Sequence, residues 1–498
     1  MKSEQRNIMW SRLLRLSHDS GIGLQQQIRE GIVRAILDGR LRPDTPLPSS
    51  RELARQLNVA RNTVMLAYEH LVDARYLLPQ ERVGYFVNPA MVPEPVVADD
   101  QRRHAAGPPH APDWHRRLVI HPASQRNIRK PIDWQQFHYP FIYGQVDPAL
   151  FPLKALRECF RQALSVQAAT SLARDFLDAD DAELIEEIQS KILPRRGVWT
   201  DAGNILITMG AQNALHILAE LLLDARTTIG IEEPGYPDAR NIFGLRTSRL
   251  VPLPVDEHGL VVGPHLSELD YVFVTPSHQS PTTVTMPLER RHELLALARR
   301  HGFIILEDDY ESELNFVGAP TPALKSLDED DRVLYLGSLS KTVDPGMRLG
   351  FLVAPEGLTH EARALRRLML RHPPANNQHA IALFLSLGHH DTLIERVRRV
   401  HRERWEAMGE ALERHLPDST RTPTFGGSSF WVHTPEHLDT RVLADHAAQE
   451  GIFFEPGDVN FLAEPPPTHF LRLGLSVIPA ERIEPGIQRL ANLVHRLA

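Results

Sequence analysis

The chain has 498 residues, 42% hydrophobic and 24% charged, enough to bury more than one core and long for a single domain. Its formal charge of −8 is unevenly divided: residues 1 to 90 hold 13 Lys/Arg against 9 Asp/Glu, a net of +4, so the rest carries −12. A basic head on an acidic body directs any polyanion to the head. Apolar runs such as YVFVT at 271–275 and FIIL at 303–306 are strand-length, short of the roughly 20 residues that cross a bilayer, so no membrane partner is expected. The opening MKSEQRNIMWSRLLRLS has no apolar leader core, and a single cysteine, Cys159, excludes an internal disulfide framework; a cytoplasmic protein is the simplest reading.

In chain order, Leu24, Ile28, Ile32, Ala35 and Ile36 recur at spacings of three and four, predicting an amphipathic helix that Gly39 stops. A second, short helix follows LRPDTPLP, with Ser49 or Ser50 as N-cap, Glu52 in its first turn, and Leu53, Ala54 and Leu57 facing a core. After the break NVA comes a third helix, burying Val64, Ala67, Tyr68 and Leu71 and exposing Arg61, Asn62 and Thr63 at its start. Arginine and asparagine can each pair twice with a base edge, which suits a major groove. YLLPQERVGYFV then reads as two short strands around a turn with Arg82 and Gly84, a wing. The stretch LPSSRELARQLNVARNTVMLAYEHLVDARYL resembles the winged helix-turn-helix of the GntR family. That resemblance implies double-stranded DNA as partner, with Ser49 and Arg51 near the backbone, Arg61, Asn62 and Thr63 on the recognition helix, and Arg82 and Gly84 in the wing. The head is placed at residues 20–88, and the Pro-, Ala- and charge-rich 89–135 reads as an extended linker.

From 136 to 498 strand-like and helical segments alternate: ILITMG, TTIGIEEP, YVFVTPS, FIILEDDY, VLYLGSLS and RLGFLVAP, with helices such as QNALHILAELLL between them. Several of the strands are apolar through most of their length, so an α/β body with a mainly parallel central sheet covered on both faces is predicted. Ligands in such sheets sit at the carboxyl ends of strands, where Gly210, Tyr236, Asp308 and Lys341 fall. Singly each is unremarkable, since a lysine after a strand is usually solvated and an acidic run is usually surface. Together they suit a ligand with three handles: an aldehyde for a lysine, a pyridine nitrogen for a carboxylate, and a phosphate for hydroxyls, backbone N–H groups and arginine. Pyridoxal phosphate has all three. No metal site is expected.

Head and body together resemble the MocR/GabR-type regulators, a GntR winged helix fused to a fold-type I aminotransferase-like domain. The resemblance implies that Lys341 in SLSKTVDPGMRLG forms the Schiff base, that Ser338, Ser340 and Arg348 hold the phosphate, and that Gly210, Ala211 and Gln212 begin the helix that receives it. It further implies Asp308 at the pyridine nitrogen, Tyr310 near the 3-oxygen, Tyr236 on the ring face, and Arg472 at a substrate carboxylate. Where aminotransferases often carry an NPTG-like turn, this chain has TPSHQSPTT, which leaves Ser280, Gln279 and His278 as alternatives for the asparagine contact. Arg472, flanked by apolar residues, also reads as a buried structural ion pair.

The expected function is transcription regulation: a small amino compound displaces Lys341 to form an external aldimine and shifts the body between conformations. A homodimer is implied, with each head near the other subunit's body. The rival is an active aminotransferase carrying a DNA-binding head, since the residues for a first half-reaction are present. A third reading is a cofactor-free body that only dimerises the head.

Overall fold

The computed structural model describes residues 10, 13–14, 16–17, 21–80, 83–91, 112–165, 179–317, 321–339, 343, 345–417, 419 and 426–498. The predicted site residues Arg82, Ser340 and Lys341 therefore lie outside the described residues. The chain divides into two compact units, Met1–Arg117 and Leu118–Ala498.

In the first unit the expected periodicity becomes α1 (Leu24–Leu37), α2 (Ser50–Leu57) and α3 (Arg61–Asp73), followed by the antiparallel pair β1 (Leu77–Gln80) and β2 (Gly84–Val87). Ile28, Ile32, Ala35 and Ile36 of α1 are buried against Leu53 of α2 and Val64, Ala67, Tyr68 and Leu71 of α3. The Tyr68 hydroxyl, carried into this core, donates to the Pro48 carbonyl at 2.9 Å and so is not stranded there. Two stops work as read: Gly39 takes φ +69° after α1, and Asn58 ends α2 at φ +53°. The core also reaches upstream of the predicted start at 20, because Trp10 and Leu14 are buried in it. Gly31 is what admits Leu14: a Cβ there would meet Leu14 Cδ2 at 2.6 Å.

The second unit is built on an eight-stranded sheet. Its strands in chain order are β3 (Ile205–Thr208), β4 (Ile229–Glu233), β5 (Leu250–Asp256), β6 (Gly259–Leu260), β7 (Tyr271–Val274), β8 (Ile304–Asp309), β9 (Val333–Ser338) and β10 (Gly350–Val353). The spatial order is β3-β10-β9-β8-β7-β4-β5-β6. β10 pairs antiparallel with both β3 and β9, and the short β6 antiparallel with β5, while the remaining pairs are parallel, so the sheet is mixed but mainly parallel. Period-two alternation between two buried faces explains why strands such as β3 and β10 are apolar through most of their length. Ile205, Ile207, Tyr335, Phe351 and Val353 join one core cluster, whereas Leu206, Leu334, Leu336 and Leu352 join another. A separate core forms around the small sheet β11 (Ser429–His433), β12 (Glu455–Pro456) and β13 (Phe470–Gly474), with the last helix Ala480–Leu497 packed on it.

Residues 118–135, expected as linker, belong to this second unit. Polar side chains stitch them down: Arg126 donates to the Phe461 carbonyl at 3.0 Å, and the Arg126 carbonyl accepts from Arg240 at 2.8 Å and Asn241 at 3.0 Å. Proline and charge in the sequence hide a segment whose order comes from hydrogen bonding rather than apolar burial.

Candidate functional site

Strand register assembles a cradle from distant sequence. Thr208 of β3 stands opposite Gly350 of β10, which stands opposite Ser338 of β9, so three strand ends meet in one row. From β3 the chain passes Gly210 into helix α4 (Ala211–Leu222). Gly210 is the N-cap at φ +80° and supplies no side-chain cap, leaving first-turn N–H groups and the positive end of the helix dipole for an anion. Arg348 leads into β10 at φ +51°, rare for a residue with a side chain, and its Nη2 donates to the Met209 carbonyl at 3.2 Å. A Cβ on Gly210 would lie 3.0 Å from that guanidinium, so the glycine is what allows the arginine its place.

The acidic run EDDYESE is not surface. Glu307 and Asp309 share one face of β8. Glu307 accepts from the Leu324 and Lys325 N–H groups, both at 2.8 Å, and Asp309 Oδ2 accepts from Arg196 at 2.7 Å and the Tyr335 hydroxyl at 2.8 Å. Burial and the neighbouring Asp309 push Glu307 above the carboxylate range; burial also pushes Asp309 up, but Arg196 outweighs it and holds Asp309 low. Asp308, between them, is carried to the other face, is 3% exposed, and lines a cavity with Tyr310 two residues on. Burial pushes the Tyr310 phenol well above its ordinary value, so it stays protonated.

That cavity, about 310 Å³, brings together Gly210, Ala211, Gln212, Tyr236, Asp308, Tyr310, Ser338, Arg348 and Arg472, every predicted body residue that the structure describes. The Tyr236 hydroxyl donates to Asp238 at 3.0 Å and accepts from Gln212 at 3.3 Å. Among the three alternatives at the TPSHQSPTT turn, Ser280 is on the cavity wall. The Gln279 amide is spent on Glu232 (3.2 Å) and the Pro234 carbonyl (2.8 Å), and His278 is buried nearby at 3% exposure. Glu232 anchors this turn by accepting from the Thr275 hydroxyl at 2.5 Å; burial pushes its carboxyl to about 7.

Arg472 answers to both of its readings. It lies directly across from Glu455 in the β12–β13 ladder and is paired with it at 2.6 Å, both side chains buried, yet it also lines the cavity. Sequence reasoning missed Glu455, Tyr143 and Lys130, which surround it. The Tyr143 ring centroid is 3.8 Å from the Arg472 guanidinium carbon, and Lys130 donates to the Tyr143 carbonyl.

On the first unit, Arg61 and Asn62 are exposed at the start of α3 and Thr63 is half-buried beside them. The first turn of α3 holds no acidic residue and no side-chain cap, so its dipole is left to an outside anion. Arg61 Nε reaches Ser50 Oγ at 3.5 Å. Ser49 proves to be the N-cap of α2, its hydroxyl accepting from Glu52 N at 3.2 Å, with Arg51 exposed next to it. Gly84 opens β2 opposite Gln80.

Residues 144–490 match the family model for aminotransferase class I and II, and residues 24–87 the model for bacterial regulatory proteins of the gntR family. The chain is 43% identical to the HTH-type transcriptional regulator TauR of Rhodobacter capsulatus over 94% of this chain and 96% of that one. It is 31% identical to the probable rhizopine catabolism regulatory protein MocR of Rhizobium meliloti over 96% and 95%. Among solved structures, the kynurenine aminotransferase of Pyrococcus horikoshii in complex with PMP superposes with a TM-score of 0.70 at 25% identity, covering 77% of this chain and 98% of that one. The α-aminoadipate aminotransferase LysN of Thermus thermophilus, complexed with N-(5'-phosphopyridoxyl)-L-leucine, gives 0.69 at 28% over 77% and 98%.

Proposed function

Because the chain belongs to the MocR-type regulators, a gntR-family head joined to an aminotransferase class I and II body, we propose that it controls transcription by sensing a small amino compound through pyridoxal phosphate held at Lys341. The observation that carries the reading is the convergence on one cavity of an anion cradle, at Gly210, Ser338 and Arg348, with the buried carboxylate of Asp308.

The donor set fits that cofactor. A phosphate suits the uncapped start of α4 with Arg348 and the Ser338 hydroxyl beside it. When bound, pyridoxal phosphate supplies an aldehyde that captures amines and an electron-drawing ring. Asp308 is the carboxylate that pairs with a protonated ring nitrogen, Tyr310 donates from a phenol kept protonated by burial, Tyr236 covers the ring face, and Ser280 stands where an asparagine is common. Lys341 is the amine with which an effector competes for that aldehyde.

The head then reads a double-stranded operator with Arg61, Asn62 and Thr63 in the major groove; Ser49 and Arg51 lie near the backbone, and Arg82 and Gly84 belong to the wing. The functional unit is a cytoplasmic homodimer. For occupancy to alter transcription the effector must prefer one body conformation, and a tenfold preference supplies about 1.4 kcal/mol.

The test is a visible spectrum of purified protein before and after borohydride, with mass spectrometry locating the reduced adduct. A pyridoxyl group on Lys341 is the expected result; an unmodified Lys341 in cofactor-saturated protein overturns the reading. Sustained keto-acid production from amino donors would make the body an enzyme instead of a sensor.

A further inference from the structure

Lys130 is the cavity residue least expected from the sequence, since it falls in the stretch read as linker. Its ammonium donates to the Tyr143 carbonyl and lies 3.5 Å from Glu455 Oε1, while a lysine has three donors to place. Arg472 spends Nε and Nη2 on Glu455 Oε2, at 3.0 and 2.6 Å, which are two of its five donors. Two cations thus share one buried carboxylate. Burial pushes Glu455 up, but Arg472 and Lys130 outweigh it and hold the carboxyl below its ordinary range, so the acid is ionised and the trio keeps one surplus positive charge. Burial pulls the Lys130 ammonium down, with Glu455 opposing and Asp238 on the cavity wall opposing more weakly, which marks a charge poorly solvated as it stands. A partly enclosed surplus cation with donors in hand is stabilised by an anion.

Resting on the function proposed above, we propose that Lys130 is a second ligand, beside Arg472, for a singly charged acid group of the effector. Arg472 alone, already neutralised by Glu455, offers donors but no net charge; Lys130 supplies the charge. The cavity therefore selects amino compounds that carry one acid group over plain amines, and Glu455 disfavours a second negative charge at the same place.

The experiment uses the full-length chain saturated with pyridoxal phosphate, titrated calorimetrically with propionate, butyrate and pentanoate, and with butylamine as the uncharged-end control. Lys130→Gln is expected to weaken monocarboxylate binding about tenfold or more, the loss of one charge-assisted contact, and Lys130→Arg to restore most of it. Butylamine affinity should not move, and a melt that stays cooperative shows that the variant is folded. Equal carboxylate affinity in Lys130→Gln and wild type, or a wild type that binds none of the three acids, overturns the assignment. Lys130-dependent carboxylate binding by a protein that never takes the cofactor would instead preserve the assignment and overturn the cofactor reading.

Discussion

In the head, Arg61 and Asn62 stand in solvent at the start of α3; in the body, Asp308 and Arg472 are each 3% exposed. An exposed side chain costs little to place, and its energy arrives with the partner. A buried charge must be compensated before any ligand comes, as Glu455 does for Arg472 and Arg196 does for Asp309. Arg61 and Asn62 can therefore be exchanged with little effect on folding, whereas Arg472 and its partner Glu455 serve the fold and the site together.

The sharpest break in that comparison is one residue wide. Asp309→Ala strands Arg196 in the core and should destabilise the second unit by about 3–5 kcal/mol, read as a lower denaturant midpoint. Asp308→Asn should stay within about 1 kcal/mol of wild type while altering the cofactor's visible band, because the side chain faces the cavity. Equal destabilisation by both changes would mean that the two carboxylates are not functionally separated.

A smaller effect is expected at Glu232. With its folded carboxyl at about 7, the unfolded chain sheds the proton first as pH rises above roughly 4, so stability falls between about pH 4 and 7 and then levels. Glu232→Gln removes this loss and should stabilise the protein by at most about 3 kcal/mol at pH 8, with little gain at pH 4.5. Thermal melts at the two pH values decide it: an equal gain at both would exclude a titrating Glu232. In the head, Arg61→Ala should weaken specific DNA binding by about 1–3 kcal/mol without shifting the melt. Unchanged affinity and sequence preference in a gel-shift titration would remove Arg61 from base contact.

The body's main positions were legible because each chemically distinctive residue interrupts or follows an apolar strand, and period-two burial leaves few places for it. Lys130, Tyr143 and Glu455 were not, since irregular segments and a two-residue strand bring them to Arg472, and neither has a period to read. Ladder register, which sets Glu455 against Arg472, depends on tertiary packing. The head was legible from α1 onward because three amphipathic helices declare their faces. Trp10 and Leu14 escaped notice because so short a segment shows no repeat, although Gly31 in the middle of α1 was a clue to a close neighbour.

The run Glu307, Asp308, Asp309 offers three carboxylates in a row, but a strand deals them alternately to its two sides. Two go to the internal wiring with Arg196 and the Leu324–Lys325 turn, and one to the cavity. Parity, not acidity, decides which is which. A relative with a single residue inserted between Ile304 and Glu307, and every acid retained, would have the same composition of charge here and yet present the wrong carboxylates to the cavity, so insertions in this strand should be far rarer than substitutions.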